Sequence, residues 1–123
     1  MFQVSWVEIP ALDLDRALKF YQTVFEIQPD SIAADGVRRT AILSHGAEQA
    51  PGISMTEIKG FEPSNKGTWI YLSIGEDMTD HLTRVLAAGG KILTPKTSMG
   101  VDAGNFASIE DSEGNIVALY STK

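Results

Sequence analysis

Thr68-Trp69-Ile70-Tyr71-Leu72-Ser73-Ile74 is the stretch that decides the fold. Ile70, Leu72 and Ile74 alternate with Trp69, Tyr71 and Ser73. A period of two is a strand with two unlike faces. Asp77 then stands where a helix N-cap is expected, and Met78, Leu82, Val85 and Leu86 recur at helical spacing up to Gly89-Gly90. Residues 91–93 read as a strand and 94–104 as a loop containing glycine and proline. Residues 105–110 and 115–120 read as two strands. Asp111-Ser112-Glu113-Gly114 joins them as a hairpin, with Gly114 placed for a positive φ.

The same order precedes this stretch. Residues 4–9 alternate weakly, as a strand would, and Pro10 closes it because proline cannot donate to a ladder. Asp13 is the expected cap of a helix whose stripe is Leu14, Ala17, Leu18, Tyr21, Val24 and Phe25. Residues 29–36 are turn-like, and 37–44 and 52–58 read as strands. Trp6-Val7-Glu8-Ile9 aligns with Trp69-Ile70-Tyr71-Leu72, and one insertion then brings Asp13 onto Asp77. The duplication lies in the pattern more than in the letters. It predicts an α+β chain of two modules, about 1–60 and 67–123, joined by a turn-rich linker at about 61–66.

The alternation also assigns faces. Val7, Ile9, Ile70, Leu72 and Ile74 belong under the helices. Trp6, Glu8, Trp69, Tyr71 and Ser73 belong on the opposite face. Two tryptophans and a tyrosine on one side of a sheet predict that it covers something: the other half, a second subunit or a ligand.

With 123 residues there is room for a single domain, and 43% hydrophobic with 21% charged residues is an ordinary globular composition. The net charge of −6 repels phosphate backbones and argues against nucleic acid. Lysine and arginine are scattered, which argues against an anionic membrane surface. The absence of cysteine excludes disulfides, thiolate metal sites and a cysteine nucleophile. No signal peptide or spanning segment is read, so the expectation is a cytoplasmic protein.

Three stretches together resemble the vicinal oxygen chelate superfamily, which groups glyoxalases, bleomycin-resistance proteins and extradiol dioxygenases. They are Asp13-Leu14-Asp15-Arg16-Ala17-Leu18-Lys19-Phe20-Tyr21, Leu86-Ala87-Ala88-Gly89-Gly90-Lys91 and Asp111-Ser112-Glu113-Gly114-Asn115. Pro95-Lys96-Thr97 resembles a glyoxalase-related branch of unassigned function. The resemblance covers the whole chain. It implies paired βαβββ modules whose curved mixed sheets surround a cavity, with helices on the convex face, and a frequent homodimer. A short chain with an aromatic sheet face favours the dimer independently.

The enzymes of that superfamily hold a divalent metal with His and Glu side chains on the cavity strands. Carried over by position, the resemblance puts Trp6, Trp69 and Ala118 at three ligand places and Met55 or Thr56 at the fourth, with Glu57 nearby. Indole and methyl groups cannot ligate such a cation, so no metal and no cofactor are expected. The expected ligand-binding residues are Trp6, Glu8, Met55, Glu57, Trp69, Tyr71 and Ala118. The tryptophans and Tyr71 serve equally well as packing residues. Glu8 is the candidate general base, and its alternative is a rim charge paired with Arg38 or Arg39. His45 and His81 read as structural. Asp111/Glu113 and Asp13/Asp15 read as turn and cap chemistry. Two functions stay open: metal-free binding of a small, partly aromatic molecule, or a metal-dependent or carboxylate-based lyase, isomerase or dioxygenase.

Overall fold

The computed structural model describes residues 1–123 as two compact units, Met1–Pro63 and Ser64–Lys123. In the first, strand β1 (Trp6–Pro10) leads into helix α1 (Leu14–Phe25), followed by β2 (Ala33–Ala34), β3 (Arg39–Ser44) and β4 (Gly52–Glu57). The sheet order is β1-β4-β3-β2, with β1 and β4 parallel and the other pairs antiparallel. The parallel pair needs a crossover, and α1 begins it.

Asp13 caps α1, its Oδ1 accepting from the Arg16 amide at 3.1 Å. Leu14, Ala17, Phe20, Tyr21 and Val24 then bury one stripe. The matching sheet stripe is Ile9, Met55 and Ala41, mutually in register and all buried. Full burial of each large side chain contributes about 1.5–3 kcal/mol. Tyr21 lies edge-on to Phe20 and stacks on Phe25, with centroids 5.4 and 5.7 Å apart. The helix stops at Glu26, which has a left-handed φ of 55°.

The second unit repeats this order. Strand β5 (Tyr71–Ser73) precedes helix α2 (Thr79–Ala87), then β6 (Lys91–Ser98), β7 (Asn105–Glu110) and β8 (Ile116–Ser121), in the order β5-β8-β7-β6. Again only the first and last strands, β5 and β8, pair in parallel. Each unit is thus a βαβββ module with a mixed sheet, and the α+β expectation holds. Ala107, Ile109, Val117 and Leu119 form the buried apolar stripe of the sheet, and Leu82 and Val85 that of α2. No helix is long and apolar enough to cross a membrane.

Three elements differ from the sequence reading. The turn-like residues 29–36 contain β2, whose two residues pair with Thr40 and Arg39. β6 runs to Ser98, through much of the expected 94–104 loop. Pro95 is tolerated because β6 is an edge strand whose register breaks between Ile92 and Thr94 and between Thr94 and Thr97. The N-cap of α2 is Met78, without a side-chain cap bond.

Asp77, one residue earlier, still serves the helix start. Its Oδ1 accepts from the Thr79 amide at 2.8 Å and the Thr79 hydroxyl at 2.5 Å. Lys96 Nζ donates to Oδ2 at 2.8 Å. The Lys96 bond, followed by the Thr79 bonds, holds the Asp77 carboxyl far below the usual carboxylate range. A depressed native pKa adds stability above the unfolded value, and that contribution is lost as pH falls through the native value. A carboxyl-carbon NMR titration should therefore find Asp77 ionised at pH values where ordinary exposed aspartates are protonated. Lys96→Met should move its midpoint up, and an unchanged midpoint would show that Lys96 is not the cause.

Candidate functional site

The face opposite α1 carries Trp6 and Glu8 on β1, and Gly52, Ser54 and Thr56 on β4, paired Trp6 to Gly52 and Glu8 to Ser54. Trp6 does not stand away from the sheet. Its six-membered ring lies over Gly52, where a methyl group would overlap it, and Nε1 donates to Ser54 Oγ at 3.0 Å. Thr56 and Thr40 share a hydrogen bond of 2.9 Å, and Thr40 also donates to the Met55 carbonyl. Glu8 lies 3.9 Å from Arg38, with both side chains partly exposed. The polar side chains of this face therefore serve one another.

The corresponding face of the second unit is different. Tyr71, Ala118 and Ser108 form one cross-strand row, and Ser73, Tyr120 and Phe106 form the next. The Ala118 amide donates to the Ile70 carbonyl at 2.9 Å, so the parallel pairing extends towards Trp69. Trp69 and Tyr71 form a tilted ring pair with centroids 6.3 Å apart. They remain 40% and 50% exposed. Tyr120 packs on Gly104 and donates its hydroxyl to the Ala103 carbonyl at 3.1 Å. Along the row that begins at Tyr71, Ala118 and Ser108 are small and buried, and Ser108 Oγ has no hydrogen-bond partner.

The structure therefore brings Trp69, Tyr71 and Ala118 onto one face, and Trp6 and Glu8 onto another. Met55 and Glu57 stand on neither. Met55 is fully buried in the stripe under α1. Glu57 turns to the start of that helix: its Oε1 accepts from the Leu14 amide at 2.8 Å and from Arg39 Nη1 at 3.3 Å. Arg39 also pairs with Asp15 at 2.9 Å, which raises the guanidinium pKa further. Of the two arginines expected near Glu8, Arg38 is the one beside it. His45 pairs with Asp30 at 2.7 Å, and buried His81 lies 4.0 Å from Glu76.

The divalent metal that the resemblance implies needs several His, Asp or Glu donors turned to one point. No group of three or more His, Asp or Glu side chains is placed to hold an ion. At the places that the resemblance assigns to ligands stand two indoles, a methyl group, and either the buried Met55 thioether or a Thr56 hydroxyl already bonded to Thr40. These residues do not fit such a metal.

Ser54, Gly52 and Ser108 escaped the sequence reading. Ser108 had a signal: Ala107 and Ile109 mark one face of β7, which sends Phe106, Ser108 and Glu110 to the other. The bond between Trp6 and Ser54 had none, because the rotamer of an indole is not written in strand periodicity.

Residues 3–119 match the family described as the Glyoxalase/Bleomycin resistance protein/Dioxygenase superfamily. A glyoxylase-like domain-containing protein of Didymella fabae is 29% identical over 121 residues, 95% of this chain and 91% of that protein. A glyoxylase/bleomycin resistance protein/dioxygenase domain from Frankia sp. EAN1pec superposes with a TM-score of 0.75 at 17% identity, over 100% of this chain and 99% of that one. A glyoxalase I mutant from Zea mays superposes with a TM-score of 0.74 at 24% identity, over 96% of this chain. The chain spans only 46% of the maize chain. FosX, a fosfomycin resistance protein from Listeria monocytogenes, superposes with a TM-score of 0.69 at 15% identity, over 98% of this chain and 93% of that one. At these identities the solved structures speak for the fold, and the match over nearly the whole length settles the family: the chain belongs to the Glyoxalase/Bleomycin resistance protein/Dioxygenase superfamily.

Proposed function

We propose that this protein binds a small, partly aromatic organic molecule without the help of a metal, and that the aromatic sheet face of the second unit receives it. The observation that carries this reading is the Trp69–Tyr71 ring pair, half exposed beside the small side chains of Ala118 and Ser108. Large rigid rings beside a floor of small side chains give a flat molecule stacking surface at little entropic cost. The absence of a fitting donor set favours binding over metal-dependent lyase, isomerase or dioxygenase chemistry.

The test is a thermal-shift screen of planar aromatic compounds, run with chelator and with added divalent ions. A ligand at a hundred times its Kd stabilises the native state by about 2.7 kcal/mol. Hits should be indifferent to metal, and Trp69→Ala should weaken them about tenfold. Stabilisation seen only with metal would favour the metalloenzyme. If Trp69→Ala instead splits a dimer in sedimentation and no compound binds, the face belongs to a second copy and the reading fails.

A further inference from the structure

Ser108 makes no side-chain hydrogen bond in the folded chain. It is 1% exposed, and its hydroxyl meets neither donor nor acceptor. Most buried polar groups are paired, and one that is not calls for a reason. The first unit shows the contrast, since Ser54, Thr56 and Thr40 are all bonded within their own face. The orphan hydroxyl sits on β7 between Ala118 of β8 and Thr94 of β6, in the row that begins at Tyr71.

Resting on the binding reading above, we infer that Ser108 is the polar anchor of the second unit's face, and that its ligand is a planar aromatic compound carrying a neutral hydrogen-bonding group such as a phenol. The ring lies against Trp69 and Tyr71, and the polar group reaches the hydroxyl. A serine hydroxyl both donates and accepts, so it matches a phenol in either direction. Charge narrows the class. Glu110 is on the same face, two residues along β7, with Lys91 opposite it in register at the edge, and the chain as a whole carries −6. An aryl carboxylate would bring a negative charge to a floor whose hydroxyl is neutral and where Lys91 already stands opposite the Glu110 carboxylate. Tyr71 lies in Ser108's own cross-strand row and Phe106 and Tyr120 in the next, and all three keep part of their surface in solvent.

Three probes of one ring system test this: 2-naphthol, naphthalene and 2-naphthoate, titrated by tryptophan fluorescence into the wild type and Ser108→Ala. Wild type should bind naphthol about tenfold more tightly than naphthalene, and naphthoate most weakly. In Ser108→Ala the naphthol advantage should vanish while naphthalene binds as before. The melting temperature of the free variant should not fall, because no bond is removed. A lowered melting temperature would mean that Ser108 is structural and would overturn the inference. So would an unchanged preference for naphthol in the variant. If none of the three binds wild type, the binding reading itself fails along with the anchor. If all three bind equally, only the anchor fails.

Discussion

Glu57→Ala should destabilise the protein by about 2 kcal/mol, read as a lower urea midpoint at unchanged slope. The carboxylate satisfies the Leu14 amide at the first turn of α1, where backbone donors have no partner within the helix. Leu14 is fully buried, so water cannot easily replace the bond. The negative charge also suits the positive end of the helix dipole. Arg39 loses one of its two carboxylate partners, a smaller matter because the guanidinium is partly exposed. Glu57→Gln keeps an acceptor and should recover about half of the loss. Intact stability with abolished ligand binding would return Glu57 to the ligand-contacting residues that its position in the sequence suggested.

Gly52→Ala should cost about 2 kcal/mol through displacement rather than collapse. The added methyl group overlaps the Trp6 ring, which is 44% exposed and can swing outward. Its bond to Ser54 is then lost, and a buried hydroxyl is left unpaired. Trp6 emission should shift to the red, which is best read in a Trp69→Phe background. Trp6→Phe in the native Gly52 background also removes the donor to Ser54 but leaves a ring over the glycine, so its loss should be smaller. An unshifted spectrum in Gly52→Ala would mean that the ring does not lie over β4.

The fold was legible where periodicity was strong. The stripe from Leu14 to Phe25 and the alternation around Trp69 set both helices and the sheet faces. Misreadings fell where local signals compete with pairing. Pro95 reads as a loop residue, yet the neighbouring β7 holds β6 together past it. Ala33-Ala34 carries no strand signal and is fixed by β3 alone. For the site, alternation placed Trp6, Glu8, Trp69 and Tyr71 away from the helices. It could not tell that Glu57 reaches for the Leu14 amide, since that depends on where the chain returns after β1. Nor could it tell that the two tryptophans, alike in sequence position, behave differently: one lies down on a glycine, and the other faces a tyrosine.

In both sheets the strand made last lies inside, between the first strand and the third. This ordering has a consequence for synthesis on the ribosome. The first sheet can close once residue 57 has cleared the exit tunnel. The second stays open until Ile116–Ser121 emerges, because β5 and β7 touch only through β8. Until then, two rows of backbone hydrogen-bonding groups and the Trp69–Tyr71 surface stand uncovered, and closing the gap costs the entropy of a long loop. The nascent chain is thus most exposed to aggregation while β5 and β7 are out and β8 is not, and a chain held with residues 1–115 outside the tunnel should recruit chaperones far more than one held with residues 1–63 outside.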